Sequence, residues 1–561
     1  MNSGPEHRCG SVEAMESPGC DAISDGDDAW ATLLLRAVAH LAEAMPAGSP
    51  PGVADSERPS YVYGPDAAQD DDAYRAWLGL SAERRVAERA RNRRQLARLP
   101  AAPAVTVVEG GSADAWNAAA GSAPGAFLAF LETGDELEPG ILDDVALALH
   151  ADPEIDVLYT DSDVLTGGGR RIRPFFKPGW APDQLLSHLY VGRLLVVRRA
   201  LFEELGGFRA EFETGAEYDF VLRATERARR VVRLPIVGYH RRAEPSPAGD
   251  QGVIPALEDA LRRRGEPGAV EPGLCPGTYR IRRPIRGDPV VSVIVPFHNG
   301  AEHLRRCLRS LQETAGHERW EALLVDNRSW DPNTRALLTR FEADRRIRTL
   351  SYPGRFNWAA INNFAVKQST GAHLLFMNAD VEGRTDGWMT AMLEHSQRPE
   401  VGAVGARLLY PNGSVQHAGV VMGLGGGVAW HAFCYCPEGE SGYFDQAKVI
   451  RNYSAVTGAC MMVRYEVFER LGGFGEDLPV AYNDVDFCLR LHEHAYRVVY
   501  TPYAELLHDE SYSRGRMPPD HYAVETMTQR WGDHIRSDPY YNPNLDLHRP
   551  EAALAGRGGA G

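Results

Sequence analysis

The chain has 561 residues, which is too long for one ordinary hydrophobic core and predicts at least two domains. Its composition, 44% hydrophobic and 24% charged, is typical of a folded globular protein. The formal net charge of -16 argues against a general nucleic-acid-binding protein, because such a protein needs a basic surface to neutralise phosphates. The eight cysteines include no CxxC pair, which predicts reduced thiols rather than a zinc site.

The N-terminal segment, residues 1–60, is acidic and rich in Gly, Ser and Pro, which predicts a disordered or accessory region. It has neither the basic start nor the apolar run of a secretory signal peptide. No stretch of the sequence reaches the roughly 18 to 20 apolar residues that a helix needs to span a bilayer. We therefore expect a cytoplasmic protein whose contact with the inner membrane face is at most peripheral.

The stretch from Ser81 to Leu99, SAERRVAERARNRRQLARL, predicts a helix with Ser81 as its N-cap. It holds seven arginines and two glutamates. Two interpretations stay open for this helix: it is a solvated surface helix, or it docks on an anionic membrane face.

Two stretches of the chain show the same order of local patterns, which indicates two copies of one fold. Each runs through an apolar strand, an acidic turn, a helix, a strand, a GGF turn, an acid cluster opening a helix, a strand and a histidine. Alternating strands and helices predict α/β domains with mostly parallel central sheets, which bind ligands at the carboxyl ends of their strands. The predicted boundaries are 61–263 for the first domain, 264–288 for a linker, 289–548 for the second domain and 549–561 for a disordered tail.

The second copy begins with a buried strand, Val290 to Pro296, followed by helical spacing and a second apolar strand that ends at Asp326. This is the βαβ start of a nucleotide-binding domain. The glycine-rich fingerprint of dinucleotide folds is absent. Asp326 is therefore interpreted as a side chain that binds a base or ribose. The alternative is that it caps a turn or a helix.

A third apolar strand, His373 to Met377, leads into Asn378-Ala379-Asp380. An acid at this place lies at the active edge of the predicted sheet. A divalent cation held by carboxylate oxygen there would neutralise the charge that grows on a leaving nucleotide diphosphate. The alternative role for Asp380 is to cap the helix that follows.

Six motifs of the second copy occur in the order IVPFHNG, LLVDNRSWD, FNWAAINNFAVKQSTGAHLLFMNADVE, ARLLYPNGSVQHAGVVMG, TGACMMVRYEVFERLGGF and NDVDFCLRL, closed by DPYYNPNL. In this order they resemble family 2 glycosyltransferases of the rhamnosyltransferase and O-antigen type, over about residues 288 to 545. The resemblance implies a GT-A fold, a nucleotide-sugar donor, a glycan or lipid-linked glycan acceptor, a divalent metal (Mn or Mg) and inversion at the anomeric carbon. The expected architecture is two GT-A domains, of which the first is shortened.

The resemblance also assigns roles on the donor side. It implies that Pro296, Phe297 and Asn299 line the nucleotide pocket, with Asp326 on the base. Asp380 resembles the metal-binding acid of the DXD motif. The first position of that motif is Asn378 here, which we expect among the residues that bind the nucleotide sugar, and an amide at this position predicts modest metal affinity.

On the acceptor side, Asp484 resembles the catalytic base of the family's ED motif, with Asn483 in place of the glutamate. A helix cap is the alternative role for Asp484. His508 resembles the residue that contacts metal or diphosphate, with a purely structural histidine as its alternative. The residues expected beside the acceptor are Thr457, Gly458, Ala459 and Asn483.

The first copy keeps Asp135 in its acidic turn but has Glu217 at the position of the base. It shows no counterpart of VVSVIVPFHNG or LLVDNRS before that turn. We therefore expect a shortened relic that serves as a scaffold or acceptor platform, rather than a second active site.

The predicted function is inverting transfer of a sugar to a glycan in surface polysaccharide assembly. The alternative from another class is a non-catalytic carbohydrate-binding or assembly scaffold in which both copies have decayed. A processive polysaccharide synthase would need a QxxRW motif, whereas the stretch from Met527 to Trp531 lacks the leading Gln. A nucleotidyltransferase would need a glycine-rich, basic loop after the first strand, and HNGAE is not one.

Overall fold

The computed structural model describes residues 68–242, 252–510, 520–548 and Leu554. The disorder predicted for residues 1–60, and for residues 549–561 apart from Leu554, lies outside this part of the chain. The two large sheets of the described residues belong to one compact unit, residues 61–561.

The first sheet is mixed. Its strands follow one another in space as β1-β2-β6-β4-β7-β3, with β5 beside β4. Pairs β1–β2 and β4–β7 are parallel and the remaining pairs are antiparallel. The strands are β1 (Val105–Gly110), β2 (Phe127–Glu132), β3 (Glu136–Leu137), β4 (Ile155–Leu165), β5 (Arg171–Phe175), β6 (Leu195–Arg198) and β7 (Arg230–Arg241).

The helix predicted at Ser81–Leu99 begins earlier, at Ala68, so the prediction of an N-cap at Ser81 is wrong. The Ser81 hydroxyl instead donates to the carbonyl of Leu78 within the helix. The helices of this half are α1 (Ala68–Leu96), α2 (Ala113–Ser122), α3 (Ile141–Ala151), α4 (Pro182–Leu185), α5 (Arg199–Glu204), α6 (Ala216–Arg227) and α7 (Val253–Arg264), with a 3-10 turn at Ala210–Gly215.

Part of the predicted linker is ordered as a hairpin, β8 (Ala269–Pro272) paired antiparallel with β9 (Tyr279–Arg282). Tyr279 and Ile281 are buried in the core of the first sheet. The domain boundaries given above stay a prediction.

The second sheet contains the apolar strands singled out in the sequence. Its order is β12-β11-β10-β13-β20-β15-β21-β14, with β16 beside β15 and β19 beside β21, while β17 and β18 form a separate hairpin. Pairs β12–β11, β11–β10, β10–β13 and β15–β21 are parallel. The strands are β10 (Val291–Phe297), β11 (Trp320–Asp326), β12 (Ile347–Ser351), β13 (His373–Met377), β14 (Val381–Gly383), β15 (Val401–Leu409), β16 (Val415–His417), β17 (Val420–Met422), β18 (Ala429–His431), β19 (Arg451–Asn452), β20 (Cys460–Arg464) and β21 (Arg497–His508).

Helices cover both faces of the second sheet, so alternate residues of a strand enter different cores. Val293 and Val295 pack in one core and Ile294 in the other. The helices are α8 (Ala301–Thr314), α9 (Pro332–Phe341), α10 (Trp358–Val366), α11 (Trp388–Ser396), α12 (Tyr465–Arg470), α13 (Asn483–Glu493) and α14 (His521–Arg536), with 3-10 turns at Leu424–Gly426 and Tyr443–Asp445. Within the described ranges, every helix is too short or too polar to cross a bilayer.

The two sheets match strand for strand. The order β1-β2-β6-β4-β7-β3 repeats as β10-β13-β20-β15-β21-β14, with the same sequence of parallel and antiparallel pairs. The prediction that the first copy lacks a counterpart of VVSVIVPFHNG is therefore wrong, because β1 takes the place of β10. The apolar run in β1 is shorter, which hid the match. Among the described strands, β11 and β12 have no counterpart in the first sheet. The predicted α/β fold with two sheet-bearing domains is confirmed. The prediction of mostly parallel central sheets is wrong, because antiparallel pairs outnumber parallel pairs in both sheets.

The C-terminal motif DPYYNPNL joins the two sheets. The Asn542 side-chain amide donates to both carboxylate oxygens of Asp161 at 3.0 Å and to the carbonyl of Lys177 at 2.9 Å. Burial raises the pKa of the Asp161 carboxyl. The motif packs closely against the first half of the chain, since a Cβ on Gly179 would lie 2.0 Å from the carbonyl oxygen of Pro539. This motif of the second copy is therefore an attachment to the first.

Candidate active site

Two of the predicted site residues meet at the carboxyl edge of the second sheet. Asp380 occupies the turn between β13 and β14, and β14 pairs with the end of β21 so that Val381 lies opposite His508. This pairing brings Nε2 of His508 to 3.3 Å from Oδ1 of Asp380. Both side chains are buried. The sequence placed these residues 128 positions apart at strand ends, and the sheet brings them into contact.

Gln416 orients the His508 ring, a role that the sequence did not reveal. Oε1 of Gln416, on β16, lies 2.5 Å from Nδ1 of His508, and its side-chain nitrogen donates to Glu510 at 3.2 Å. Because an amide oxygen only accepts, Nδ1 carries a proton, and Nε2 is the ring nitrogen that faces Asp380. Gln416 lies inside the motif ARLLYPNGSVQHAGVVMG, which was its only signal in the sequence.

The side chains at this turn fit a divalent metal that takes further ligands from its substrate. Carboxylate oxygen of Asp380 and Nε2 of His508 are side by side, with the Asn378 amide nitrogen 3.4 Å from the same ring nitrogen. In the part of the chain that the structure describes, no group of three or more His, Cys, Asp or Glu side chains could hold a metal alone. Mg²⁺ is commonly bound through one or two carboxylates plus substrate phosphates, which matches this sparse set.

Asp484 lies in the first turn of α13. Its Oδ2 accepts the backbone N–H of Gly458 at 2.8 Å, and its Oδ1 accepts that of Val485 at 2.9 Å. The N-cap position of the helix is Tyr482, so the alternative of Asp484 as the N-cap is wrong. Asp484 is half-buried, so one side of the carboxylate can face a substrate.

The loop of Thr457, Gly458 and Ala459 connects the two acids. Gly458 binds Asp484, while the carbonyl of Ala459 accepts the backbone N–H of Asn378 at 3.0 Å. Thr457 is half-buried beside them. A Cβ on Gly458 would come within 2.6 Å of the Trp358 ring, so only glycine fits there. The structure thus brings the predicted acceptor loop and both predicted acids into one connected site.

Trp358 is a further member of this site that the sequence did not indicate. It begins α10 and is 6% exposed, and its indole N–H donates to Oδ1 of Asn378 at 3.3 Å. Asn378, at the first position of the DXD-like motif, therefore bridges Trp358 and His508. Its residue type suits that contact, because an amide oxygen accepts from the indole while the amide nitrogen faces a ring nitrogen.

The donor-side residues shape the loops after β10 and β11. Oδ1 of Asn299 accepts the backbone N–H groups of Trp330 and Asp331 at 3.0 and 2.9 Å. Oδ1 of Asp326 accepts the N–H of Ser329 at 2.8 Å, which is the turn-capping alternative given above. Pro296 is half-buried and Phe297 is buried at the end of β10. Nucleotide binding by these four predicted residues stays a prediction.

Two neighbours of Asp484 have structural partners. The Asn483 side-chain nitrogen donates to the carbonyls of Leu478 and Val480 at 3.1 and 3.2 Å, so it holds its own loop. Asp486 is 2% exposed, and it accepts from Arg490 at 2.9 Å and from the indole of Trp531 at 3.0 Å. Of the two carboxylates in the NDVD motif, Asp484 is therefore better placed to face a substrate.

The matching turn of the first sheet holds a guanidinium beside its acid. Nη1 of Arg193 lies 3.5 Å from Oδ2 of Asp135. Burial raises the pKa of the Asp135 carboxyl. Burial lowers the pKa of Arg193, and the Glu217 carboxylate opposes that shift. His240, which matches His508, instead contacts Asp163 at 2.6 Å. A fixed positive charge next to Asp135 disfavours a metal there, which supports the expectation of an inactive first copy.

Glu217→Gln is accordingly expected to leave turnover nearly unchanged. The described part of the first sheet has no counterpart of β11 and β12, and Asp135 is already paired with Arg193. The measurement is kcat of the purified variant beside wild type, with the melting temperature of each to verify folding. A large loss of kcat in a folded Glu217→Gln protein would show that the first copy takes part in the chemistry.

Comparison with known proteins supports the assignment of these motifs. Residues 292–472 match the family model for glycosyl transferase family 2, and residues 411–536 match the model for glycosyl transferase family group 2. The chain is 41% identical over 458 residues to the O-antigen biosynthesis protein RfbC of Myxococcus xanthus, covering 80% of this chain and 36% of that protein. It is 28% identical over 250 residues to the N-acetylglucosaminyl-diphospho-decaprenol L-rhamnosyltransferase of Mycobacterium tuberculosis, covering 42% of this chain and 81% of that protein.

A second relative of similar identity is the uncharacterized protein y4gI of Sinorhizobium fredii, 39% identical over 477 residues, covering 81% of this chain and 52% of that protein. The chain thus spans about a third and about half of the length of these two relatives. Among solved structures, GalNAc-T7 with UDP, GalNAc and Mn²⁺ aligns with a TM-score of 0.39 and 13% identity, over 47% of this chain and 52% of that chain.

Proposed function

We propose that this chain is an inverting glycosyltransferase that moves a sugar from a nucleotide-sugar donor to a glycan acceptor, since residues 292–472 match the family model for glycosyl transferase family 2 and residues 411–536 match the model for family group 2. The observation that carries the proposal is the connected site. Asp380 and His508 lie 3.3 Å apart, and the loop 457–459 ties them to Asp484. Each of these side chains suits one requirement of glycosyl transfer.

The donor diphosphate would lie at the carboxyl ends of β10, β11 and β13, where Asp380 and His508 would hold the metal. A divalent metal bound there supplies Lewis-acid neutralisation of the leaving diphosphate. Asp484 takes the proton from the acceptor hydroxyl while that oxygen attacks the anomeric carbon and the bond to the diphosphate breaks. The N–H groups of Gly458 and Val485 keep the carboxylate in one orientation for this step.

A non-catalytic scaffold is the competing function. It would not need Asp380, Asp484 and His508 near one another. In the second copy, however, Asp380 lies against His508, and the loop 457–459 is hydrogen-bonded both to Asp484 and to the backbone of Asn378. Hydrolysis of a nucleotide sugar by purified protein separates the two functions, because a scaffold without catalytic groups would leave the donor intact.

The class of acceptor follows from the relatives' names. One relative is named for O-antigen biosynthesis, and another for transfer of L-rhamnose to a sugar diphosphate on a polyprenol. By analogy, the acceptor of this chain is a lipid-linked glycan of surface polysaccharide assembly.

A panel of UDP-, dTDP- and GDP-sugars, tested by thermal shift and then by hydrolysis, is expected to single out one donor. A ligand that binds only the folded state stabilises that state by about 2.7 kcal/mol when it is present at 100 times its Kd. The matching nucleotide diphosphate without sugar is the control for binding through the base and phosphates. If no donor raises the melting temperature and none is hydrolysed, the scaffold is the correct interpretation.

The face of α1 that points away from the first sheet fits an anionic membrane. Arg85 faces inward and pairs with Asp144 at 2.8 Å, whereas Arg91 and Arg94 are exposed and Val86 is 64% exposed. In a chain of net charge -16, this is a local basic surface with an apolar residue beside it. Electrostatic attraction between such a face and anionic lipids would hold the protein next to a lipid-linked acceptor.

Arg91→Glu/Arg94→Glu is therefore expected to weaken binding to phosphatidylglycerol vesicles by more than about tenfold, since each arginine near an anionic surface contributes about 1 kcal/mol. Co-sedimentation measures this, with phosphatidylcholine vesicles as the uncharged comparison. Arg305→Glu/Arg309→Glu on α8 is the charge-matched control. Equal loss in both double variants would mean that net charge, not the α1 face, governs the binding.

A further inference from the structure

Two stacked tyrosines form an exposed aromatic surface near the candidate active site. The rings of Tyr410 and Tyr435 have centroids 5.6 Å apart and planes within 8° of parallel. Tyr435 is 49% exposed, although large aromatic side chains are favoured in the core. We name this pair of rings the tyrosine platform.

The backbone under the platform is held in an unusual conformation. Tyr435 has φ of 68° and Phe433 has φ of 57°, a left-handed region that bulky residues rarely adopt. The N–H of Tyr435 donates to the carbonyl of Val415 at 2.7 Å, next to Gln416 on β16. Strained positions of this kind persist where the surroundings enforce them, and they cluster at ligand sites. Here the strain holds an aromatic ring in a fixed, exposed position.

Hydrogen bonds connect the platform to the active-site pair. The Tyr410 hydroxyl donates to Oε2 of Glu510 at 3.4 Å, and the Gln416 side-chain nitrogen donates to the same oxygen at 3.2 Å. The other end of that amide contacts His508, which lies 3.3 Å from Asp380. The platform therefore borders the site of the proposed chemistry through two intervening side chains.

We propose that Tyr435, supported by Tyr410, binds a sugar ring of the acceptor, an inference that rests on the proposed function. The C–H face of a pyranose packs on an aromatic face, and hydroxyls at the ring edge can donate to a carboxylate such as Glu510. The charge favours this ligand over the donor, because the Glu510 carboxylate, which accepts from Tyr410, would repel a diphosphate at the platform. The donor has its own predicted place on the other side of Asp380, at the ends of β10 and β11.

The test uses saturation-transfer NMR of the full chain with methyl glycosides of glucose, galactose, mannose, rhamnose and N-acetylglucosamine. At least one glycoside is expected to bind wild type saturably, and Tyr435→Gly is expected to raise its Kd about tenfold. Glycine suits the positive φ, so this variant removes the ring without straining the backbone. Tyr435→Phe, which keeps the ring, is expected to bind like wild type.

Tyr522→Ala is the matched control, because Tyr522 is 55% exposed but lies on α14. Thermal shift and hydrolysis of the donor are expected to stay unchanged in Tyr435→Gly, which separates this inference from the proposed function. If no glycoside binds wild type saturably, or if Tyr435→Gly binds as tightly as wild type, the platform does not bind the acceptor. Loss of donor binding in Tyr435→Gly would also overturn the inference, because the ring would then serve the donor.

Discussion

Asp484→Asn is expected to lower kcat by roughly a hundred- to ten-thousand-fold, which is the usual contribution of a positioned general base. A sugar hydroxyl is a poor nucleophile at neutral pH, and an amide cannot take its proton. The variant should still fold. Its amide can keep one of the two backbone contacts of Asp484, to Gly458 or to Val485, and loss of the other removes about 1 kcal/mol.

Donor affinity is expected to change little in Asp484→Asn, because the proposed role of this carboxylate is toward the acceptor. Single-turnover kinetics and a donor thermal shift measure the two quantities separately. Asp486→Asn is the informative companion variant, since Asp486 binds Arg490 and Trp531 inside the fold. That variant is expected to lose stability. A near wild-type rate for Asp484→Asn would place the base on another residue.

Asp380→Ala is expected to abolish metal-dependent transfer, with a loss of kcat of about a hundredfold or more. Neutralisation of the leaving diphosphate is worth several kcal/mol, and each 1.36 kcal/mol is a factor of ten in rate. EDTA should abolish the activity of wild type for the same reason. A titration with Mn²⁺, followed by its electron paramagnetic resonance signal, should show weaker binding in the variant even without donor.

The matched control for this variant lies in the other copy. Asp135 occupies the equivalent turn of the first sheet but is paired with Arg193, so Asp135→Ala should leave both Mn²⁺ binding and turnover unchanged. Full activity of Asp380→Ala in excess EDTA would remove the metal from the proposed mechanism.

The sequence by itself determined the elements and the chemical groups of the site. Runs of apolar residues predicted β10, β11 and β13, because a strand covered on both faces leaves a continuous apolar pattern. The acids at their ends, Asp326 and Asp380, were expected at one edge, since parallel strands share their carboxyl ends. The acid in the first turn of α13, Asp484, was identified by the resemblance of NDVD to the family's ED motif. These are local patterns, and local patterns are what a single sequence records.

Only the tertiary structure decided which side chains meet. Gln416 and His508 are 92 residues apart, and Asn542 and Asp161 are 381 residues apart. Hydrogen bonds of this kind depend on strand pairing and domain packing, and no periodicity in the chain predicts them. The same reason explains Arg193, whose guanidinium lies beside Asp135, 58 residues away in the sequence. The two copies, which look alike as sequence, therefore differ in contacts between distant residues, and these contacts form only when the sheets fold.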